Sequence, residues 1–220
     1  LFASACLENG ASPFGCLHGV GHGLVASVGA ENLREALRSC RALPVSPSRF
    51  DGCLTGAFME YNVGTTEGSR EFSVQSAYAP CTSVAIDMQP SCYLFQPLWW
   101  MKALPPSKEL FAYLGELCRA VQDENTRDAC FMGIGYALIP EEGFDPYRTV
   151  STCGFLSKEA EVASCRSGAL VGAWRIVRTD PIVRVACADG LSPEHAWRCA
   201  TVRLEDIPGG WSVPWRRIGS

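Results

Sequence analysis

The chain holds three histidines, and two of them stand four residues apart in Cys16-Leu17-His18-Gly19-Val20-Gly21-His22-Gly23-Leu24. On a helix, positions i and i+4 lie on one face, so His18 and His22 would present two imidazoles to a single point. That is the spacing by which one helix offers nitrogen ligands to zinc or copper. Two imidazoles make an incomplete site, and the nearest further ligand is Glu60 in Phe58-Met59-Glu60-Tyr61. A carboxylate in so apolar a stretch needs a partner. Glu60 is therefore a candidate ligand or base, with Tyr61 beside it as a second candidate catalytic group. No glutamate follows His18 as in the His-Glu-x-x-His motif of zinc hydrolases, so that motif is absent.

Three roles fit the histidine pair. It could bind zinc or copper, act as a metal-free acid–base pair, or form two buried helix-face histidines hydrogen-bonded to neighbouring carbonyls. Glu60 could equally pair with an arginine or reach solvent at its helix end. The third histidine, His195 in Ser192-Pro193-Glu194-His195, falls at a helix start and reads as a surface residue.

The elements that must position these groups follow from the cysteines, which stand at 6 and 16, 40 and 53, 81 and 92, 118 and 130, 153 and 165, and 187 and 199. First cysteines of successive pairs are 34, 41, 37, 35 and 34 residues apart, the period of a helical-hairpin repeat. An amphipathic stretch precedes the first cysteine of a pair, as in Glu31-Asn32-Leu33-Arg34-Glu35-Ala36-Leu37-Arg38-Ser39-Cys40. A more apolar one follows the second, as in Cys130-Phe131-Met132-Gly133-Ile134-Gly135-Tyr136. The predicted fold is all-α: about six α/α hairpins in a solenoid, each stapled where its outer A helix ends and its inner B helix begins. The staples are 6–16, 40–53, 81–92, 118–130, 153–165 and 187–199.

Glycine recurs three residues after the second cysteine, as Gly19, Gly56, Gly133 and Gly168. Mid-helix glycine costs about 1 kcal/mol against alanine, so its recurrence predicts close helix approach. Aligned on those cysteines, His18 and His22 correspond to Thr55 and Met59, Leu94 and Leu98, Met132 and Tyr136, and Ser167 and Val171. The histidines thus interrupt the repeat in one unit.

Two pieces break the pattern. The polar connection 62–80 delays the third repeat, and Gln96-Pro97 predicts a kink or a helix start inside the third B helix. Trp99 and Trp100 would form a stacking platform for a sugar or peptide if exposed. Residues 1–203 read as one repeat domain and 204–220 as a non-repeating cap or tail. The first unit lacks most of an A helix, which suggests a chain trimmed on its N-terminal side. Ala3-Ser4-Ala5-Cys6 faintly resembles a lipoprotein cleavage box, but lipidating Cys6 would leave an odd number of thiols.

Helical hairpins with one cysteine closing helix A and another opening helix B resemble the cysteine-rich Sel1-like repeat proteins, secreted solenoids related to tetratricopeptide repeats. The six cysteine pairs carry the likeness, with the glycines of Cys16-Leu17-His18-Gly19 and Cys130-Phe131-Met132-Gly133, over nearly the whole stretch from Cys6 to Cys199. The resemblance implies a disulfide-stapled α/α architecture.

Composition limits the function. With 19 basic against 23 acidic residues, a net charge of −4 and no long run of either sign, there is no electrostatic footprint for nucleic acid. No apolar stretch reaches the roughly 18 residues of a membrane span. Phosphate loops, Gly-x-Ser-x-Gly elbows and dinucleotide fingerprints are missing, which removes the commonest enzyme classes. Twelve cysteines without a Cys-x-x-Cys point to disulfides and an oxidising compartment, secreted or periplasmic. Two expectations remain side by side: a scaffold whose B helices line a concave groove for a peptide, glycan or protein, and a copper or zinc protein built on His18, His22 and Glu60, binding or enzymatic.

Overall fold

The structure, a computed structural model, describes residues 6, 13–43, 52–63, 72–107, 109–173 and 180–201. The expected tail, 204–220, and residues 64–71 of the connection 62–80 lie outside them. The described residues form ten α-helices and no strand. In chain order these are α1 (Pro13–Val28), α2 (Leu33–Arg41), α3 (Gly52–Val63), α4 (Gln89–Ala103), α5 (Leu110–Arg119), α6 (Glu124–Glu141), α7 (Pro146–Thr152), α8 (Glu159–Gly172), α9 (Ile182–Ala188) and α10 (Pro193–Thr201).

Local chemistry sets many of these boundaries. Asp123 caps α6 by accepting from Thr126 N at 2.8 Å, and Asp145 caps α7 by accepting from Tyr147 N at 2.9 Å, with Pro146 at the first turn. Gly29, at φ 86°, stops α1. In α2 the buried residues are Leu33, Ala36, Leu37 and Cys40, one helical face turned to the core.

Helices α1, α3, α4, α6, α8 and α10 pack in sequence, each on the next, as a row of B helices. The A helices α2, α5, α7 and α9 pack on that row. Among the described residues the third unit departs from the hairpin: a turn over 74–80 and short 3-10 turns at Cys81–Ser83 and Ile86–Met88 stand where an A helix was expected. Gln96 Nε2 donates to the Ala77 and Ala79 carbonyls at 2.9 Å each, and Trp100 Nε1 donates to Ala77 O at 2.7 Å, so the substitute loop is held from α4. Trp99 and Trp100 are both buried, which removes them as a stacking platform.

Six disulfides join each close pair of cysteines, at Cα–Cα distances of 5.4 to 5.8 Å, and no cysteine is free. Cys6 is bonded to Cys16, so the thiol that a lipid would need is taken. A chain with every cysteine so bonded belongs to an oxidising, extracytoplasmic compartment. No helix among the described residues is long and apolar enough to cross a membrane.

The glycine expectation holds for three positions and fails for one. A Cβ on Gly56 would collide with the His18 carbonyl, on Gly168 with the Met132 carbonyl, and on Gly133 with Pro97 and the Tyr93 carbonyl. Gly19 faces open space; in the first unit the close approach is made by Gly21, whose Cβ would strike the Cys53 carbonyl. Pro97 lies inside α4 and does not start it. It removes the usual intrahelical donor to Tyr93 O, and that carbonyl faces Gly133.

Polar ties connect the units, one of them across two repeats. Arg119 donates to Glu161 in a two-pronged pair, at 2.8 and 2.6 Å, and Arg198 donates to Asp128 at 2.6 Å. Arg166 donates to the carbonyls of Cys187 and Asp189 at 3.0 and 2.6 Å, closing the C-terminal end of α9.

Candidate functional site

Mutual glycine contacts bring α1 and α3 to backbone distance: Gly21 sits on Cys53 and Gly56 on His18. At that separation the side chains of α3 that face α1 reach the two histidines directly. His18 Nδ1 lies 2.9 Å from Thr55 Oγ1, and His22 Nδ1 lies 2.8 Å from Glu60 Oε2. The two Nε2 atoms face each other at 3.1 Å.

These contacts determine where the protons sit. Thr55 Oγ1 donates to Gly52 O at 2.7 Å, which uses its single proton. Toward His18 it then acts as an acceptor, so His18 carries its proton on Nδ1 and turns the Nε2 lone pair to His22. An ionised Glu60 only accepts, so His22 also donates from Nδ1. With both Nδ1 atoms donating, two Nε2 lone pairs at 3.1 Å would repel. A cation held between them, a proton or a metal ion, would relieve that repulsion. With a proton, a continuous chain runs from Glu60 through His22, His18 and Thr55 to the Gly52 carbonyl.

The surroundings grade from dry to wet. His18 is 4% exposed, flanked by Phe14 at 6.2 Å and Phe95 at 6.0 Å between ring centroids. Burial, and after it the neighbouring His22, hold its pKa well below the ordinary histidine value of 6.5. His22 and Glu60 are each 25% exposed at the side chain, so the pair opens to solvent at that end.

Of the residues singled out from sequence, His18, His22 and Glu60 come together. Glu60 meets Nδ1 of His22, the ring edge opposite the facing Nε2 atoms, which makes it an orienting partner rather than a third ligand at the same point. Tyr61 lines a different cavity, against α2. His195 stands in α10, with Nε2 3.8 Å from Glu194. Helix-face histidines bonded to backbone carbonyls were one expectation; the partners at Nδ1 are instead the side chains of Thr55 and Glu60.

Thr55 escaped the sequence reading as a site residue. Its one signal was its position: it occupies the place in the second unit that His18 occupies in the first. Among the described residues there is no group of three or more His, Cys, Asp or Glu set to hold a metal. No family model matches the chain, and no curated protein or solved structure matches it.

Proposed function

We propose that this chain is an extracytoplasmic helical-repeat protein, secreted or periplasmic and of the Sel1-like kind, that binds one zinc or copper ion through His18 and His22. The observation that carries this is the pair of Nε2 atoms facing each other at 3.1 Å while each Nδ1 is committed to an oxygen acceptor. With metal–nitrogen bonds of about 2.0–2.1 Å, that span closes a nitrogen–metal–nitrogen angle of roughly 98°, inside the range of four-coordinate sites. Histidines that bind metals usually donate their other N–H to a carboxylate or similar oxygen, which fixes the ring and raises its basicity. Glu60 and Thr55 fill that part. Two protein ligands leave the remaining positions to water or to a bound ligand, as in sites that exchange what they hold. The exposed side of His22 gives access. A peptide, glycan or protein lying along the B helices is the partner class that fits this architecture.

A second reading places a proton where the metal would sit. It is favoured by the unbroken chain from Glu60 to Gly52, which a single proton completes. Calorimetric titration of untagged, chelator-stripped protein with zinc and with copper(II) separates the two. Under the metal reading one ion binds per chain. His18→Ala or His22→Ala abolishes binding, and Thr55→Val weakens it about 10- to 100-fold with helix content unchanged. Absence of saturable binding by the parent, or the same affinity after both histidines are replaced, overturns the metal reading.

A further inference from the structure

A second candidate site lies beside Tyr61, near the end of α3. Helix α2, Tyr61 and the segment 80–88 enclose a cleft of about 540 Å³. Its apolar surface comes from Leu33, Leu37 and Met88, and its charged wall from Arg34 and Arg38, one helical turn apart on α2. Arg41, at the edge, is already paired with Asp87. Glu31 is the one carboxylate among the lining residues, and it accepts from Asn32 Nδ2 at 3.4 Å.

The state of the arginines sets this cleft apart. Elsewhere among the described residues each guanidinium has an acceptor. Arg119, Arg148 and Arg198 lie against carboxylates, while Arg127, Arg166 and Arg184 donate to backbone carbonyls. Arg34 and Arg38 have none among the described residues, although the chain as a whole is acidic at −4. Two guanidinium groups one turn apart, with Cβ atoms about 5–6 Å from each other, can donate together to a single oxyanion, and their planar forks match phosphate or carboxylate oxygens. The apolar surface beneath them suits a hydrocarbon or aromatic body.

We propose that this cleft binds a small amphipathic oxyanion, an aryl or short alkyl phosphate or carboxylate, with its head on Arg34 and Arg38 and its body against Leu37 and Tyr61. The site is independent of the histidine pair.

Calorimetry with four probes tests it: phenyl phosphate, benzoate, inorganic phosphate and benzyl alcohol. Phenyl phosphate or benzoate is expected to bind one per chain, at least tenfold tighter than inorganic phosphate, with no binding of benzyl alcohol. Which of the two binds tighter identifies the head group. The Arg34→Ala/Arg38→Ala variant is expected to lose at least tenfold in affinity while melting at the parent temperature, since both side chains are exposed. The His18→Ala/His22→Ala variant should bind the probe as the parent does. Failure of both aromatic anions to bind, undiminished binding by the double arginine variant, or equal binding of inorganic phosphate overturns the proposal.

Discussion

Thr55 gives its proton to the Gly52 carbonyl, and through that one bond it sets which nitrogen of His18 carries the ring proton. The titration of His18 then has a stability consequence in the metal-free protein. Its folded pKa lies below the unfolded value of 6.5, so as pH falls through 6.5 the unfolded chain takes up a proton that the folded chain refuses. Stability is full above 6.5 and declines below it. Of the groups that meet the ring, His22 is titratable, while Thr55, Phe14 and Phe95 carry no charge. Urea midpoints measured at pH 7.5, 6.0 and 5.0 should fall more steeply for the metal-free parent than for His18→Gln. Equal slopes would show that His18 does not carry the effect.

At the scale of elements, glycines decide how closely the B helices pack, and the same substitution has opposite signs at two of them. Gly19 faces open space, so Gly19→Ala should stabilise the protein by up to about 1 kcal/mol through helix propensity. Gly56 abuts the His18 backbone, so Gly56→Ala must force α1 and α3 apart and cost on the order of 1–3 kcal/mol, as overpacking does. It should also weaken any ligand held by the histidines, because Thr55 and Glu60 ride on the displaced helix. Thermal melts of the two variants give the sign directly. Destabilisation by both would mean that propensity at Gly19 is outweighed by a local contact. The repeated glycine position was legible in the sequence, but which glycine makes the contact in the first unit was not. That depends on how α1 is rotated against α3, a property of two helices together.

For the whole molecule, the six staples and the two hydrophobic clusters set the expected order of loss. The larger cluster runs from Cys6 to Cys165, and a second is built from Ile139, Val150, Ala169, Leu170, Ala173, Val183, Cys187 and Cys199. Each disulfide closes a loop of 10 to 13 residues and should contribute about 2–3 kcal/mol. In a row where most packing is between successive units, losing one end staple opens that end first. Cys187→Ser/Cys199→Ser should therefore lose hydrogen-exchange protection in α9 and α10 while α3 to α6 stay protected. Loss of protection at equal rates throughout would show that the row unfolds as one unit.

The sequence by itself determined the architecture and the staples. A 34- to 41-residue period, amphipathic stretches before one cysteine and apolar stretches after the other are local signals, and local signals survive without coordinates. The sequence also marked His18, His22 and Glu60, because rare residue types at helical spacing stand out against a repeat. Tertiary structure decided what lies across a helix interface. It put Thr55 on His18 and Glu60 on the outer nitrogen of His22. It turned Tyr61 toward α2, buried both tryptophans, and left Arg34 and Arg38 without acceptors among the described residues, beside an open cleft. Each of these depends on the rotation and separation of packed helices, which no spacing within a single segment encodes.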